Sequence, residues 1–356
     1  MASQQVSQNT ANHIIMCVRM SPTPAERIAV IGPKGIPKDF SGAGGIETYV
    51  EDQLLAFAQK GYHITCYVHA WTSPKRMDQY HGIERVVVPT IHTISLDTLS
   101  YSFLASVHAS LSGASIVWYH GIGPSFFSFI PKLFGKRVYI TIHALDWKRK
   151  KWGAFARFFL RLSELVALSF SNKLFVVSNQ LRSYYQKHYH RNAVVEKYAI
   201  PNRKIVQPDI IRKKYQLKKN TYVLFLGRFV PEKRLEWLIQ AADSIKNRTI
   251  VLSGESNNTD AYVQYLKKLA INKNVLFTEY VFGKEKFELI SNCRLFVLPS
   301  ALEGFPVTVV EALAYKKHCL VGDFLKPEYP PKNTLVHYFR KDSFVSFFEE
   351  LKRLGS

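Results

Sequence analysis

The stretch from Glu303 to Glu311, Glu-Gly-Phe-Pro-Val-Thr-Val-Val-Glu, carries the most specific chemistry in the chain. A strand ending near Pro299 leads into a loop with Glu303 and Gly304, and Pro306 suits the first turn of a helix running to about Lys316. Glycine lets a backbone approach a ligand closely, and a helix start offers N–H groups to an anion. Glu311 falls about a turn and a half into that helix, beside Val307, Val310, Leu313 and Ala314. A carboxylate there can accept two hydrogen bonds from a sugar diol. The same residues fit an ordinary helix with a half-exposed glutamate equally well. A second stretch, Gly227-Arg-Phe-Val-Pro-Glu-Lys233, follows a strand directly, with Arg228 at the strand's carboxyl end and Lys233 opening the next helix. Two cations there can clamp a diphosphate and stabilise it as a leaving group. A lysine in a first helical turn opposes the macrodipole, which favours an anion beside it. A third stretch, Ser41-Gly-Ala-Gly-Gly-Ile-Glu47, offers backbone N–H groups to phosphate. Its Gly42, Gly44 and Gly45 do not form GxGxxG, so taken alone it reads rather as a turn.

Short apolar, β-branched runs must position these groups. They occur at Arg27–Ile31, His63–Val68, Arg85–Val88, Ser115–Trp118, Val138–Ile142 and Lys173–Val177. Helical periodicity falls between them, as from Ile46 to Lys60, stopped by Gly61. The rhythm restarts with strands at Tyr222–Leu226, Thr249–Leu252, Val275–Thr278, Leu295–Leu298 and Cys319–Val321, and a helix from Pro231 to Ile245. Such alternation indicates parallel sheets with helices on both faces. The expectation is an α/β chain of two doubly wound, Rossmann-like domains that bind ligands at the carboxyl ends of their strands, in a cleft where the domains face each other. Residues 1–25 read as a polar tail, 26–203 as the first domain, 204–220 as an irregular linker and 221–356 as the second domain.

Composition narrows the class. The chain has 356 residues, with 48 Lys+Arg against 27 Asp+Glu, a net charge of +21. Hydrophobic residues at 47% and charged residues at 21% exclude a disordered or collagen-like chain. No apolar run approaches the roughly 20 residues of a membrane helix, and Ile14–Val18 is too short for a signal peptide. Cys17, Cys66, Cys293 and Cys319 show no paired or metal-ligand spacing, which fits a reduced, cytoplasmic setting. Both halves are basic, so the excess charge calls for a partner: nucleic acid, an anionic membrane surface or phosphorylated small molecules.

Together the three stretches resemble glycosyltransferase family 4, retaining enzymes of the GT-B fold that use nucleotide-sugar donors. Glu303 to Glu311 is similar to the family's paired-glutamate motif, Gly227-Arg228 to Lys233 to its donor-phosphate motif, and Gly44-Gly45 to its first glycine loop. Thr141 to Trp152, with Gly35-Ile-Pro37, is similar to a bacterial rhamnosyltransferase branch, which implies a rhamnosyl donor. The resemblance implies that Arg228 and Lys233 hold the donor pyrophosphate and that Glu303 touches the donor sugar or its phosphate. It also implies that Glu311 bonds the ribose hydroxyls and that Gly44, Gly45, Gly304, Phe305 and Pro306 line the diphosphate. His143, at a strand end, takes the place of a histidine contacting the transferred sugar, with His120 a weaker candidate. The chain has no Asp-x-Asp, so protein cations and N–H dipoles would neutralise the leaving group without a metal. No cofactor is implied beyond the nucleotide-diphosphate sugar itself, and the acceptor would be a glycan or a lipid-linked sugar in surface polysaccharide or glycolipid assembly.

Some positions leave the family pattern. Lys316-Lys317 stand where a glycine is usual, Arg203 follows Asn202, and the chain after Asp323, with Pro327, Pro330 and Pro331, reads as irregular. These departures keep open a catalytically impaired scaffold or another sugar-nucleotide enzyme. From Pro131 to Arg161, nine basic residues and the single acid Asp146 are interleaved with Phe134, Trp147, Trp152, Phe155, Phe158 and Phe159, just after Ser125-Phe-Phe-Ser-Phe-Ile130. That mixture suits an anionic membrane interface and equally a core helix with a solvated basic face. A basic nucleic-acid-binding protein is the remaining rival, but no zinc finger or RNA-binding aromatic signature is present, so nucleic acid is not the expected partner.

Overall fold

The computed structural model describes residues 26–38, 40, 44–72, 78–91, 93, 96–149, 152–196, 203–245, 248–255, 260–329 and 333–355. The expected tail 1–25 and the residues Ser41, Gly42, Ala43, Asn202, Pro330 and Pro331 lie outside these. The chain divides into two compact units, residues 1–199 and 200–356.

The first unit contains the strands β1 (Arg27–Ile31), β2 (His63–His69), β3 (Gln79–Tyr80), β4 (Ile83–Val88), β5 (Ile116–His120), β6 (Arg137–Ile142), β7 (Lys173–Val176) and β8 (Val194–Val195). Its helices are α1 (Gly45–Gln59), α2 (Asp97–Leu111), α3 (Phe129–Leu133), α4 (Ala154–Phe170) and α5 (Asn179–Tyr189). Among the described residues the sheet order is β3-β4-β2-β1-β5-β6-β7-β8, parallel except for the β3–β4 edge. The second unit contains β9 (Tyr222–Leu226), β10 (Thr249–Ser253), β11 (Val275–Thr278), β12 (Leu295–Leu298), β13 (His318–Gly322) and β14 (Val336–Phe339). Its helices are α6 (Asp209–Tyr215), α7 (Leu235–Gln240), α8 (Asp260–Leu269), α9 (Gly283–Asn292), α10 (Val307–Ala314) and α11 (Phe344–Gly355). The all-parallel order is β11-β10-β9-β12-β13-β14. Both sheets are therefore doubly wound, with the strand order reversing between β1 and β5 and between β9 and β12. The inner strands β5 and β9 are buried along their whole length, the signature of a sheet covered on both faces.

Two glycines permit close approach of backbone at strand ends, one at the β1–β5 reversal and one between β10 and β9. Gly32, just after β1, has φ +132°, and a Cβ there would lie 2.3 Å from the His120 carbonyl oxygen at the end of β5. Gly254, after β10, has φ +152°, and its Cβ would lie 1.9 Å from the Gly227 carbonyl oxygen. Any side chain at either position collides with backbone.

The structure corrects four expectations. Residues 204–220 are not irregular: they carry α6, whose Ile210 and Ile211 N–H groups donate to buried Glu288 on α9 at 2.7 and 3.1 Å. The helix expected over Pro231–Ile245 is broken into a 3-10 turn at Pro231–Lys233, α7, and a second turn at Ala242–Ser244. Arg234 makes the break, at φ 51°, where its guanidinium binds Asp342 and the Lys341 carbonyl and stacks 4.6 Å over Trp237. Lys233 thus sits in the 3-10 turn, ahead of α7. Pro306 caps α10 instead of entering its first turn, which fits its ψ of 94°. The segment after Asp323 contains β14, the edge strand of the second sheet.

Lys316 occupies the left-handed region at φ 56°, directly after the cap residue Tyr315 of α10. A helix end of this shape favours glycine, and a lysine there carries a steric cost of about 1 kcal/mol. Lys316→Gly is expected to raise the stability of the second unit by roughly 0.5–1 kcal/mol. Urea denaturation followed by circular dichroism checks this, and an unchanged or lower midpoint contradicts it.

Candidate functional site

In the second unit the expected donor residues gather at the reversal point. β9 ends in Gly227, whose N–H donates to the Ser253 carbonyl at 3.0 Å, and half-buried Arg228 follows. The segment after neighbouring β12 is tied to the 231–233 turn by the Ala301 N–H, which donates to the Glu232 carbonyl at 2.8 Å. A second tie is the ion pair between Lys233 Nζ and Glu303 Oε1, both side chains under 20% exposed. Lys233 and Glu303 therefore meet each other, a contact that reading them as separate ligands to a donor did not anticipate. Gly304 and Phe305 continue the loop, with the Phe305 ring stacked on Tyr329 at 6.0 Å. Pro306 is buried, and its carbonyl accepts from the Tyr329 hydroxyl at 3.3 Å.

Glu311 stands on α10 with one carboxylate oxygen, Oε1, accepting from Lys286 Nζ of α9 at 2.6 Å. Its other oxygen, Oε2, is buried and accepts no hydrogen bond among the described residues. A buried carboxylate oxygen without a donor is costly, so this atom marks where a hydroxyl-bearing ligand would be held. Lys286 was missed by the sequence reading. It lies 25 residues before Glu311 on another helix, and no local spacing links the two.

Gly44, Gly45 and His143 belong to the first unit. Gly44 is the cap of α1, and its N–H donates to Glu47 Oε2 at 2.8 Å, so this amide is engaged within the protein. A Cβ on Gly45 would meet nothing within 4 Å among the described residues. One turn into α1, Tyr49 packs its ring edge-on against His143, centroids 5.0 Å apart. His143 follows β6 and is buried. Its Nε2 shares a proton with His120 Nδ1 at 3.1 Å, which brings the stronger and the weaker histidine candidates together. Burial pushes His143 down to about 3, and burial with the neighbouring His143 pushes His120 well below the usual imidazole range. Both rings are neutral at pH 7. They can exchange hydrogen bonds with a hydroxyl but supply no positive charge.

Behind them lies Glu196, also missed, although it is the only acid between Glu164 and Asp209. Its carboxyl is buried and accepts from the Tyr49 hydroxyl at 2.7 Å and Gln53 Nε2 at 3.1 Å. Burial raises it to about 7, against the lowering effect of Tyr49, Gln53 and Thr141. Glu196 thus anchors the helix that carries Gly45 and Tyr49 to the end of the first sheet.

Comparison with known proteins follows this geometry. Two doubly wound sheets of this order define the GT-B class. Sucrose-phosphate synthase from Thermosynechococcus elongatus superimposes with a TM-score of 0.75 at 17% identity, covering 92% of this chain and 89% of that one. Anabaena HepE in complex with UDP and glucose superimposes with a TM-score of 0.68 at 14% identity, with the same coverage. Residues 43–201 match the family described as Glycosyltransferase Family 4, and residues 207–329 match Glycosyl transferases group 1. The chain belongs to the family-4-like glycosyltransferases of GT-B fold. Among curated relatives, the uncharacterized glycosyltransferase YqgM of Bacillus subtilis is 27% identical over 191 residues, 52% of each chain. The N,N'-diacetylbacillosaminyl-diphospho-undecaprenol α-1,3-N-acetylgalactosaminyltransferase of Campylobacter jejuni is 30% identical over 118 residues, 32% of this chain and 30% of that one. The chain thus spans about half the length, or less, of these curated relatives.

The sign of the pH effect follows from the two shifted groups. A carboxyl raised in the fold contributes stability that is present below about pH 4.5 and lost as pH rises through about 7. The lowered histidines act oppositely, with stability present above about pH 6.5 and lost on acidification. Glu196→Gln removes only the first effect. The melting temperature of the variant minus that of the parent is expected to climb between about pH 4.5 and 7 and then level off. A difference independent of pH shows that Glu196 does not titrate there.

Proposed function

We propose that this chain transfers a sugar, with retention of configuration, from a nucleotide-diphosphate donor to a glycan or lipid-linked acceptor in surface polysaccharide or glycolipid synthesis. The carrying observation is Glu311 Oε2, a buried acceptor without a donor, set on a helix whose preceding loop holds the Lys233–Glu303 pair. A ribose diol supplies the missing donor, and Arg228, Lys233 and the amides at the start of α10 take the charge of the pyrophosphate. Glu303 keeps Lys233 in place and contacts the donor sugar or its phosphate. Gly304 to Pro306 with Gly44 and Gly45 line the diphosphate, and neutral His143 hydrogen-bonds the transferred sugar. In the reaction the bond from the anomeric carbon to the leaving phosphate oxygen breaks while the acceptor oxygen bonds that carbon on the same face. The phosphate oxygen takes the acceptor's proton, so no protein base and no metal is required. The Campylobacter relative is named for a diphospho-undecaprenol acceptor and HepE forms a complex with UDP and glucose, which supports both substrate classes.

A thermal-shift panel of UDP-, GDP- and dTDP-sugars, dTDP-rhamnose included, identifies the donor, because a ligand of the native state raises its melting point. With that donor, Glu311→Ala is expected to weaken binding at least tenfold, and Arg228→Ala with Lys233→Ala to lower transfer by roughly two to three orders of magnitude. Full transfer by the double variant contradicts the assignment.

We further propose that the first unit docks on the anionic inner face of the cell membrane, from a cytoplasm in which the thiols stay reduced. Among the described residues no helix is long and apolar enough to cross a membrane. The aromatic segment upstream of α4 is half-buried: Phe126 packs on Phe159 at 4.8 Å and Phe129 on Phe170 at 6.1 Å. α4 itself exposes an apolar stripe, Phe155 (84%), Phe158 (67%), Leu162 and Leu165, flanked by Arg157 and Arg161. Exposed rings beside cations fit an anionic bilayer. Flotation with phosphatidylglycerol vesicles at low salt is expected to recover the parent chain and to lose Phe155→Ser/Phe158→Ser. Equal flotation of both, or of neither, removes this docking face.

A further inference from the structure

The first unit also contains a cavity of about 410 Å³ between the turn at Asp146–Lys148, α4 and α5, which shares only Arg161 with the docking face proposed above. Its size lies within the range of small-ligand sites. Its walls are rings and cations. Trp147 faces Tyr184 at 6.4 Å, and Tyr184 stacks on His188 at 4.5 Å. The Arg161 guanidinium lies 4.5 Å above the Trp147 ring, and Lys148 Nζ lies 5.3 Å from Trp147 and 5.6 Å from Tyr184. Among the described residues neither cation is in an ion pair with a carboxylate.

The base of the cavity is built rather than incidental. Glu164, 1% exposed, accepts from Trp147 Nε1 at 3.1 Å, from the Tyr189 hydroxyl at 3.1 Å and from the Tyr185 hydroxyl at 2.7 Å. These bonds fix the rings in place before any ligand arrives, which removes much of the ordering cost of binding. Glu164 is the one acid in the lining, against two cations, so the cavity favours an anion. Two cations lining one cavity, both beside the Trp147 ring, match a doubly charged phosphoryl group better than a single carboxylate. Flat rings beside them provide faces for the apolar side of a sugar.

We propose that this cavity binds a phosphorylated sugar ring, with Lys148 and Arg161 on the phosphoryl group and Trp147 and Tyr184 against the ring. The site is separate from the donor residues of the second unit. It adjoins the exposed stripe of α4, since Arg161 and Leu162 are successive residues, so the phosphoryl group can be free or carried on a lipid.

The test uses the full chain, saturated with UDP, and the exposed pair Lys148→Gln/Arg161→Gln, which keeps both side-chain stems. Isothermal titration with glucose 1-phosphate is expected to show binding that the double variant weakens at least tenfold, while glucose binds neither protein measurably. Flotation with phosphatidylcholine vesicles, with and without phosphatidylinositol, probes the lipid-borne form of the same chemistry. Dependence on Lys148 and Arg161 with glucose 1-phosphate supports a soluble ligand, and dependence only with the inositol lipid supports a membrane-borne one. If both probes treat parent and double variant alike, or glucose binds as well as its phosphate, the proposal falls. UDP binding by the double variant stays at the parent's level, so failure of the donor assignment is read separately.

Discussion

The ion pair between Lys233 and Glu303 is the contact on which the organisation of the second unit's candidate site rests. It joins the segments that leave two neighbouring strands, β9 and β12, at the place where the winding of the sheet reverses. The backbone bond from Ala301 to Glu232 reinforces it. Both side chains are largely shielded from water, and removing one partner from such a pair leaves a charge poorly solvated, at a cost of up to about 3–5 kcal/mol. In the same sheet the ends of β9 and β10 approach closely because Gly254 carries no Cβ to meet the Gly227 carbonyl. Glu303 therefore fixes the position of Lys233 in the turn that follows β9.

Much of the fold was legible because parallel strands buried on both faces spell continuous apolar runs, as in Tyr222–Leu226 and Ile116–His120. The elements that escaped were those held by distant partners. β3 and β8 are two residues long and exist only by pairing with β4 and β7. α6 is basic and only seven residues long, with Asp209 alone as a start signal, and its first N–H groups are satisfied by Glu288 from a helix more than seventy residues away. The break at Arg234 depends on Asp342, which no local window contains.

The candidate site divides in the same way. Types and spacing were enough to place Arg228 and Glu303 after strand ends and Glu311 on the helix that follows, but not to pair Lys233 with Glu303 or to find Lys286. The two histidines show why. His120 is in register with Thr141, so His143, two residues further along the chain, returns to the same face of the sheet. That meeting requires the strand alignment, and local sequence windows do not supply it. Composition likewise could not separate Phe126 and Phe129, which are half-buried against Phe159 and Phe170, from Phe155 and Phe158, which face water, since all four sit in one aromatic stretch.

The solitary acceptor on Glu311 has a bearing on the life of the protein in a cell. An unmet buried oxygen is a standing penalty of about 1–3 kcal/mol that vanishes once a hydroxyl reaches it. A marginal difference of that size shifts the unfolded fraction several-fold, and with it exposure to proteases. A hydroxyl-bearing ligand that reached this oxygen would therefore add to the stability of the second unit, and the chain without one would be the more readily unfolded.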